Sequence, residues 1–177
     1  MKRINTAELE VVCQSDIEPV VFRRFIAGYI CENVDKAPYK YTTEIGEMYP
    51  NYGHWFKEKV VPELLSGEKN RELMLLLASE GIVAGFAILK KTKEEKKICT
   101  FRISEGWRNG GAGKKLMEEC IRFLDNEKPL ITVSDKCKVS FENLFNQFGF
   151  EETQRLKDLY VVGSTEYVFN GELKIEK

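Results

Sequence analysis

Between Lys97 and Val133 the sequence switches its hydrophobic period from strand to helix and back, and this order restricts the fold more than any other stretch. Lys97–Ile103 reads as a strand. Arg108-Asn109-Gly110-Gly111-Ala112-Gly113 then interrupts the pattern. Gly113, Leu116, Met117, Cys120, Ile121 and Leu124 recur at i, i+3, i+4, i+7, i+8 and i+11, with Glu118, Glu119 and Arg122 opposite them. That is one apolar stripe on an amphipathic helix. Pro129 follows, and Leu130–Val133 reads as a short buried strand. Strand, helix and strand in this order predict a right-handed parallel crossover.

The segments on either side fix the rest of the sheet. Leu73–Ala78 is a continuous apolar run, Glu80-Gly81 a turn signal, Ile82–Leu89 a second strand and Lys90–Lys96 a polar hairpin tip. With Lys97–Ile103 these predict an antiparallel meander. Leu9–Gln14 is a candidate first strand. Asp16 is a candidate N-cap, with Pro19 in the first turn of a helix carrying Val20, Val21, Phe25, Ile26, Tyr29 and Ile30. Ala37–Tyr52 reads as an irregular connection around a short helix, and His54–Leu65 as a helix interrupted at Pro62. Downstream, Phe141, Leu144, Phe145 and Phe148 mark a helix closed by Gly149, and Gln154–Val162 and Glu166–Phe169 are two strands flanking Gly163-Ser164. The fold class is α/β (α+β), a mixed sheet, antiparallel first and parallel around the central helix. The 177 residues, without a Pro/Gly/Ser linker or an internal repeat, suit one domain.

Composition excludes several classes. A formal net charge of -1 argues against a generally basic protein that coats nucleic acid, while leaving room for a local basic patch. No apolar run approaches the roughly 18–20 residues that span a bilayer. No apolar segment follows Met1–Thr6, so no secretory signal is read, and a cytoplasmic location is the default expectation. The cysteines at 13, 31, 99, 120 and 137 form no C-x-x-C, and His54 is the sole histidine, so neither a disulfide framework nor a zinc site is expected.

The glycine loop carries the clearest chemistry. A loop entering a helix offers several unpaired N–H groups at the positive end of the helix dipole. Glycines let that backbone approach a ligand closely, and such a site suits a phosphate or pyrophosphate. Lys114 and Lys115 are open to two readings, as solvated helix residues or as phosphate partners. Tyr39, Tyr41, Tyr49, Tyr52, Trp55 and Phe56 either pack the N-terminal helices onto the sheet or wall an acceptor pocket, and the two are compatible. Cys99 and Cys120 read as small packing residues. His54 reads as structural or exposed, with a base role as the alternative.

The segment Ile103-Ser104-Glu105-Gly106-Trp107-Arg108-Asn109-Gly110-Gly111-Ala112-Gly113-Lys114-Lys115-Leu116 resembles motif A of the GNAT N-acetyltransferase superfamily, with Arg108, Gly111 and Gly113 in its three defining places. Leu144-Phe145-Asn146-Gln147-Phe148-Gly149-Phe150 resembles the family's L-Y-x-x-x-G-F segment. The resemblance covers about residues 71–171, so that residues 1–70 would form the acceptor side. It implies acetyl-CoA, or another short acyl-CoA, as cofactor. The backbone of Asn109, Gly110, Gly111, Ala112, Gly113 and Lys114, with Arg108, would hold its pyrophosphate. The pantetheine arm would run along Phe101, Arg102 and Ile103, where the strand ending at Ile103 splays from the one ending at Val133. The implied activity is transfer of an acetyl group to a primary amine, on a small molecule or a peptide, by direct attack. A homodimer is the default that the family carries, and neither a membrane nor a nucleic acid is expected as partner.

Two departures mark this chain. The tyrosine that protonates the leaving thiolate in the family is Phe145 here, and Ile98-Cys99-Thr100-Phe101-Arg102-Ile103 carries no carboxylate. Ser134 and Tyr160 are candidate substitutes for the acid, with Ser134 also read as a strand-end cap. Glu44, Glu47 and His54 are candidates to receive the amine proton through water, and the two glutamates would favour a cationic acceptor. A non-catalytic acyl-CoA-binding or regulatory module is the alternative that Phe145 supports. A toxin-like acetyltransferase acting on aminoacyl-tRNA is a third reading, opposed by the near-neutral charge and the missing tyrosine.

Overall fold

The computed structural model describes residues 8–16, 45, 48–79 and 82–175. The predicted helix carrying Val20 to Ile30, the part of the connection holding Tyr39, Tyr41, Glu44 and Glu47, and the turn at Glu80-Gly81 lie outside the described residues. Asp16 closes a 3-10 turn, Gln14–Asp16.

Seven strands form one sheet: β1 (Glu10–Cys13), β2 (Arg71–Leu77), β3 (Val83–Lys91), β4 (Lys96–Ile103), β5 (Leu130–Ser134), β6 (Glu152–Lys157) and β7 (Thr165–Phe169), in the order β1-β2-β3-β4-β5-β7-β6. The first four are antiparallel neighbours, β5 runs parallel to β4, and β7 returns antiparallel between β5 and β6. This is the expected mixed sheet, and the crossover between β4 and β5 is helix α3 (Ala112–Leu124).

Both faces of the sheet are covered, which is why β2 and β3 are apolar at nearly every position. On one face Met74, Leu76, Ala87 and Leu89 meet the α3 stripe of Leu116, Met117, Cys120 and Leu124. On the other, Leu73, Leu75, Phe86 and Ile88 meet Ile45, Tyr52, Val60 and Leu64. The last three come from a helical segment made of α1 (Tyr52–Trp55), a π-turn (Phe56–Val60) and α2 (Val61–Leu65). Pro62 offers no N–H to the preceding turn, and the widening to i→i+5 just before it absorbs that missing donor.

Two expected boundaries move. Helix α4 spans Asp135–Gln147 and begins well before its first apolar marker, because its opening turn is polar and capped. Its C-terminus closes as predicted: Gly149 N–H bonds Asn146 C=O at 3.2 Å and Phe150 N–H bonds Phe145 C=O at 2.9 Å, the paired bonds of a Schellman end. Strand β6 stops at Lys157 and does not continue to Val162. There Asp158 turns left-handed at φ 57°, and its carboxylate accepts the Gly163 N–H at 2.6 Å, which makes 158–164 a closed loop.

Gly85 on β3 is a close-approach position. It faces Ile103, and a Cβ there would lie 2.6 Å from the Arg102 carbonyl oxygen and 2.7 Å from the Ile103 side chain. The bare backbone of β3 thus lets the end of β4 lie close against it.

Candidate active site

Parallel pairing between β4 and β5 is confined to Lys97 with Leu130 and Ile98 with Ile131. Beyond that the strands diverge. Past a bulge at Cys99, Thr100–Ile103 keeps its ladder with β3 on one side only, so the other edge of β4 faces an opening. That opening is a cleft of about 1590 Å³. Phe101 reaches across it towards Phe141 of α4, ring centroids 6.0 Å apart.

One arm of the cleft ends at α3. After β4 a 3-10 turn, Glu105–Trp107, leads to Asn109 at φ 60° and Gly111 at φ 91°. The left-handed conformation at the helix N-cap suits glycine, and this cap contributes no side chain. The first turn of α3 holds no acidic residue either. Arg108 folds back, its Nε donating to the Ile103 carbonyl at 3.1 Å, and so ties the loop to the end of β4. Lys115 donates to the Leu9 carbonyl and braces the segment before β1. Lys114 lines the cleft and makes a long contact, 3.8 Å, to Glu118. Of the ten residues expected around a cofactor, Phe101, Arg102, Ile103, Arg108, Asn109, Gly111, Gly113 and Lys114 line this one cleft. Gly110 does not line it, and the Ala112 side chain is wholly buried in the core.

The other arm lies under the α1–α2 segment. Tyr49, Tyr52 and Trp55 wall it, so half of the aromatic cluster seen in the sequence both packs on the sheet and faces the cleft. Tyr52 and Thr100 share a hydrogen bond of 3.3 Å between their hydroxyls. The described lining of this arm includes Lys59, Arg71, Lys90 and Lys97 against Glu95. Arg71 is buried, paired with Glu63 at 2.6 Å and set over the Trp55 ring at 5.7 Å. Lys90 meets Glu95 at 2.7 Å. Burial works to raise the Glu95 pKa, but the bond and charge of Lys90, with Lys97 and Arg71, outweigh it and hold this carboxyl below the usual range.

Where β5 ends, a polar cluster closes the arm. Ser134 is 3% exposed and caps α4. Its hydroxyl donates to Asp135 at 3.1 Å, and the Asp135 carboxylate also accepts from the Ser164 hydroxyl (2.9 Å), the Lys136 N–H (2.8 Å) and the Thr165 N–H (3.3 Å). Ser164's bond is foremost in holding Asp135 below the usual carboxylate range. Ser134 N–H donates to the Tyr49 hydroxyl at 3.2 Å, and Tyr49 donates to Glu166 at 3.1 Å. Glu166 faces Ser134 across the β5–β7 ladder and is itself buried. Burial raises its pKa, against the opposing bonds from Thr132 and Tyr49. Tyr160 stands edge-on to Tyr49, ring centroids 5.4 Å apart, 48% exposed and lining the cleft.

The two candidate acids therefore separate. Tyr160 lies on the cleft, while Ser134 lies behind it with its hydroxyl engaged in the cap. Phe145 is core, 3% exposed and edge-on to Phe169 at 4.5 Å. His54 is exposed on α1 and does not line the cleft. Glu166 was missed by the sequence reading, because a carboxylate beginning a short alternating strand looks like an outward-facing residue. Its partners Tyr49 and Thr132 stand far from it along the chain. The four described cysteines are free. Burial raises the Cys99, Cys120 and Cys137 thiols and pushes Cys13 up to about 12, so all four stay protonated.

A family model described as an acetyltransferase (GNAT) domain matches residues 41–159. No curated protein sequence matches the chain. Among solved structures, a GNAT-family protein from Desulfovibrio desulfuricans superposes with a TM-score of 0.61 at 14% identity, over 91% of this chain and 96% of that one. PaiA N-acetyltransferase from Thermoplasma acidophilum, solved with coenzyme A, gives a TM-score of 0.55 at 15% identity, over 91% and 96%. Nourseothricin acetyltransferase gives 0.52 at 14% identity over 58% of this chain and 65% of its own, so this chain spans less than two thirds of that protein. At these identities the structural likeness is one of fold.

Proposed function

The chain belongs to the GNAT acetyltransferase family, and from that premise we propose that it transfers an acetyl group from acetyl-CoA to a primary amine by direct attack in a ternary complex. The observation that carries this reading is the bare N-terminus of α3 at the mouth of the β4–β5 split. A helix start with no capping side chain and no carboxylate of its own suits an anion from outside.

The residues present fit an acyl-CoA. Backbone N–H groups of Asn109, Gly110, Gly111, Ala112, Gly113 and Lys114 would hold the pyrophosphate, with the Lys114 ammonium beside it. The free edge of β4 at Phe101, Arg102 and Ile103 would pair with the amides of the pantetheine arm, much as a further strand would. Bound there, an acyl-CoA supplies the acyl carbon and a thiolate leaving group. Tyr160 is the better-sited proton donor for that thiolate, because it lines the cleft, and Ser134 is a cap. The whole chain would act as one domain, with residues 1–70 forming the acceptor side.

The acceptor arm bears on substrate class. Among the described residues Arg71 is paired with Glu63 and Lys90 with Glu95, and Lys59 and Lys97 add positive charge, so a polycation meets repulsion there and a monoamine is favoured. The acceptor amine would be carried by a small molecule or a peptide, and among the described residues no helix is long and apolar enough to cross a membrane. Phe145 favours a second reading, an acyl-CoA-binding module without turnover.

The test is thiol release over a panel of amines, alongside calorimetric binding of acetyl-CoA. Release with at least one monoamine, and weaker rates with spermidine, is the expected result. Tight binding without release on any amine would favour the second reading, and no binding of any CoA thioester would sink both.

A further inference from the structure

Glu166 sits where a carboxylate is costly. It is 4% exposed, and the bonds that reach it come from hydroxyls: Tyr49 at 3.1 and 3.5 Å from its two oxygens, and Thr132. Lys97 acts on it through space. Among the described residues no cation contacts it; a buried charge so held is expensive, and a fold retains one where it has work for it. Tyr49, Thr132 and Tyr160 all line the cleft, and Glu166 stands one hydroxyl behind them.

The Tyr49 hydroxyl is set up to pass a proton in one direction. Its own proton points at Glu166, and one oxygen lone pair is taken by the Ser134 N–H. A phenolic oxygen has a second lone pair. We infer that Glu166 is the proton acceptor for the incoming amine, reached through the Tyr49 hydroxyl. The proposal rests on the acetyltransferase reading above. The substrate ammonium gives one proton to Tyr49 Oη as Tyr49 gives its own to Glu166. The neutral nitrogen then forms the C–N bond as the C–S bond breaks; Tyr160 gives its proton to the departing thiolate and takes the second nitrogen proton in its place. Glu166 returns its proton to solvent by the same route. Tyr49 contacts the amine, whereas Glu166 acts through it as a positioning and proton-holding residue.

The groups facing the carboxyl come from every neighbouring element. Burial and the Asp135 charge on α4 raise its affinity for a proton, and Thr132 on β5, Tyr49 and Lys97 on β4 oppose them. Cys137 on α4 and Tyr160 face it as neutral groups, their own pKa values raised by burial and in part by Glu166 itself.

The experiment compares E166Q and Y49F with wild type. Glutamine keeps an acceptor oxygen for Tyr49 and Thr132, so E166Q should fold. Its kcat should drop by about 10²–10⁴-fold near neutral pH with an unchanged KM for acetyl-CoA. That defect should shrink as the pH rises and the amine arrives unprotonated, a trend that a merely structural role would not produce. Y49F should show a similar loss. In protein without cofactor, a 13C NMR titration of the Glu166 carboxyl should give a midpoint above the ordinary glutamate value, and Y49F should move it higher by removing an opposing bond. Wild-type transfer that persists in E166Q at every pH, or an ordinary Glu166 midpoint, overturns this proposal alone. A wild type that acetylates no amine overturns the parent reading and this one with it.

Discussion

Two helices begin where β4 and β5 end, and their N-termini are built oppositely. At α4 the strand passes into the helix without a loop, Ser134 caps it, and Asp135 gathers the hydroxyls and N–H groups around it. At α3 a glycine loop intervenes, the cap has no side chain and the first turn has no acid. Both helix ends carry the same partial positive charge. One is satisfied by the protein itself, and the other opens on the cleft. The difference separates a structural joint from a site that awaits an anion.

The sharpest way to break that contrast is to give α3 a carboxylate of its own. A Cβ at Gly113 would meet Ile103 at 3.7 Å and Leu144 at 3.8 Å, which is ordinary contact. Gly113→Asp should therefore fold, the helix-end charge favouring a carboxylate there by about 0.3–1 kcal/mol and so offsetting part of the cost of setting it beside Ile103 and Leu144. The same charge opposes a pyrophosphate, and CoA affinity measured by calorimetry should fall on the order of a hundredfold, roughly 2.7 kcal/mol. A variant that binds CoA like wild type would end the claim that this terminus is reserved for a ligand.

Two packing changes come next, one beside each strand end. Gly85→Ala sets a methyl 2.6 Å from the Arg102 carbonyl, so β3 and the end of β4 must separate. Chemical denaturation should show a loss of about 1–3 kcal/mol, with weakened CoA binding because the free edge of β4 shifts. Phe145→Tyr restores the side chain that the family motif carries. Phe145 packs against Phe141, Phe150 and Phe169, so the new hydroxyl is buried among rings. A loss of about 1–3 kcal/mol without any gain in acetyl transfer is expected. A faster enzyme would show instead that position 145 reaches the chemistry.

The α3 side of the molecule was legible in the sequence because its signals are local. A stripe at helical spacing, a glycine run before it and apolar strands on both flanks lie within a short stretch, and each element reports its own period. The α4 side was not, because it is assembled from a distance. Tyr49 and Glu166 are separated by 117 positions and meet only when β7 lies beside β5. Polar residues in a strand look solvent-facing unless something covers that face, and the covering segment is irregular in sequence. Ser134 shows how local signals help: a serine at a strand end reads as a cap as well as a candidate acid, and here it caps the helix that Asp135 begins. The strand drawn through to Val162 failed for a related reason, since the left-handed turn at Asp158 has no glycine to announce it.

The smallest effects test the α4 end. Ser134→Ala removes the cap and should cost about 1 kcal/mol in thermal unfolding while leaving CoA affinity unchanged. The charge next to it has a pH signature. Ser164, Thr165 and Lys136 hold the Asp135 carboxyl below its ordinary range. A carboxylate whose folded pKa is depressed contributes stability that is present above its unfolded pKa and is lost as the pH falls through the folded one. Melting curves across the acid range should show that loss in wild type and less of it in Asp135→Asn, with CoA binding alike in both. Gly113→Asp in the same titration should gain an acid-side loss of the kind that Asp135→Asn gives up, because its new carboxylate sits at an equivalent helix end. If it does not, the two N-termini differ by more than the presence of an internal anion, and the reason α3 is left bare must lie in the shape of the loop.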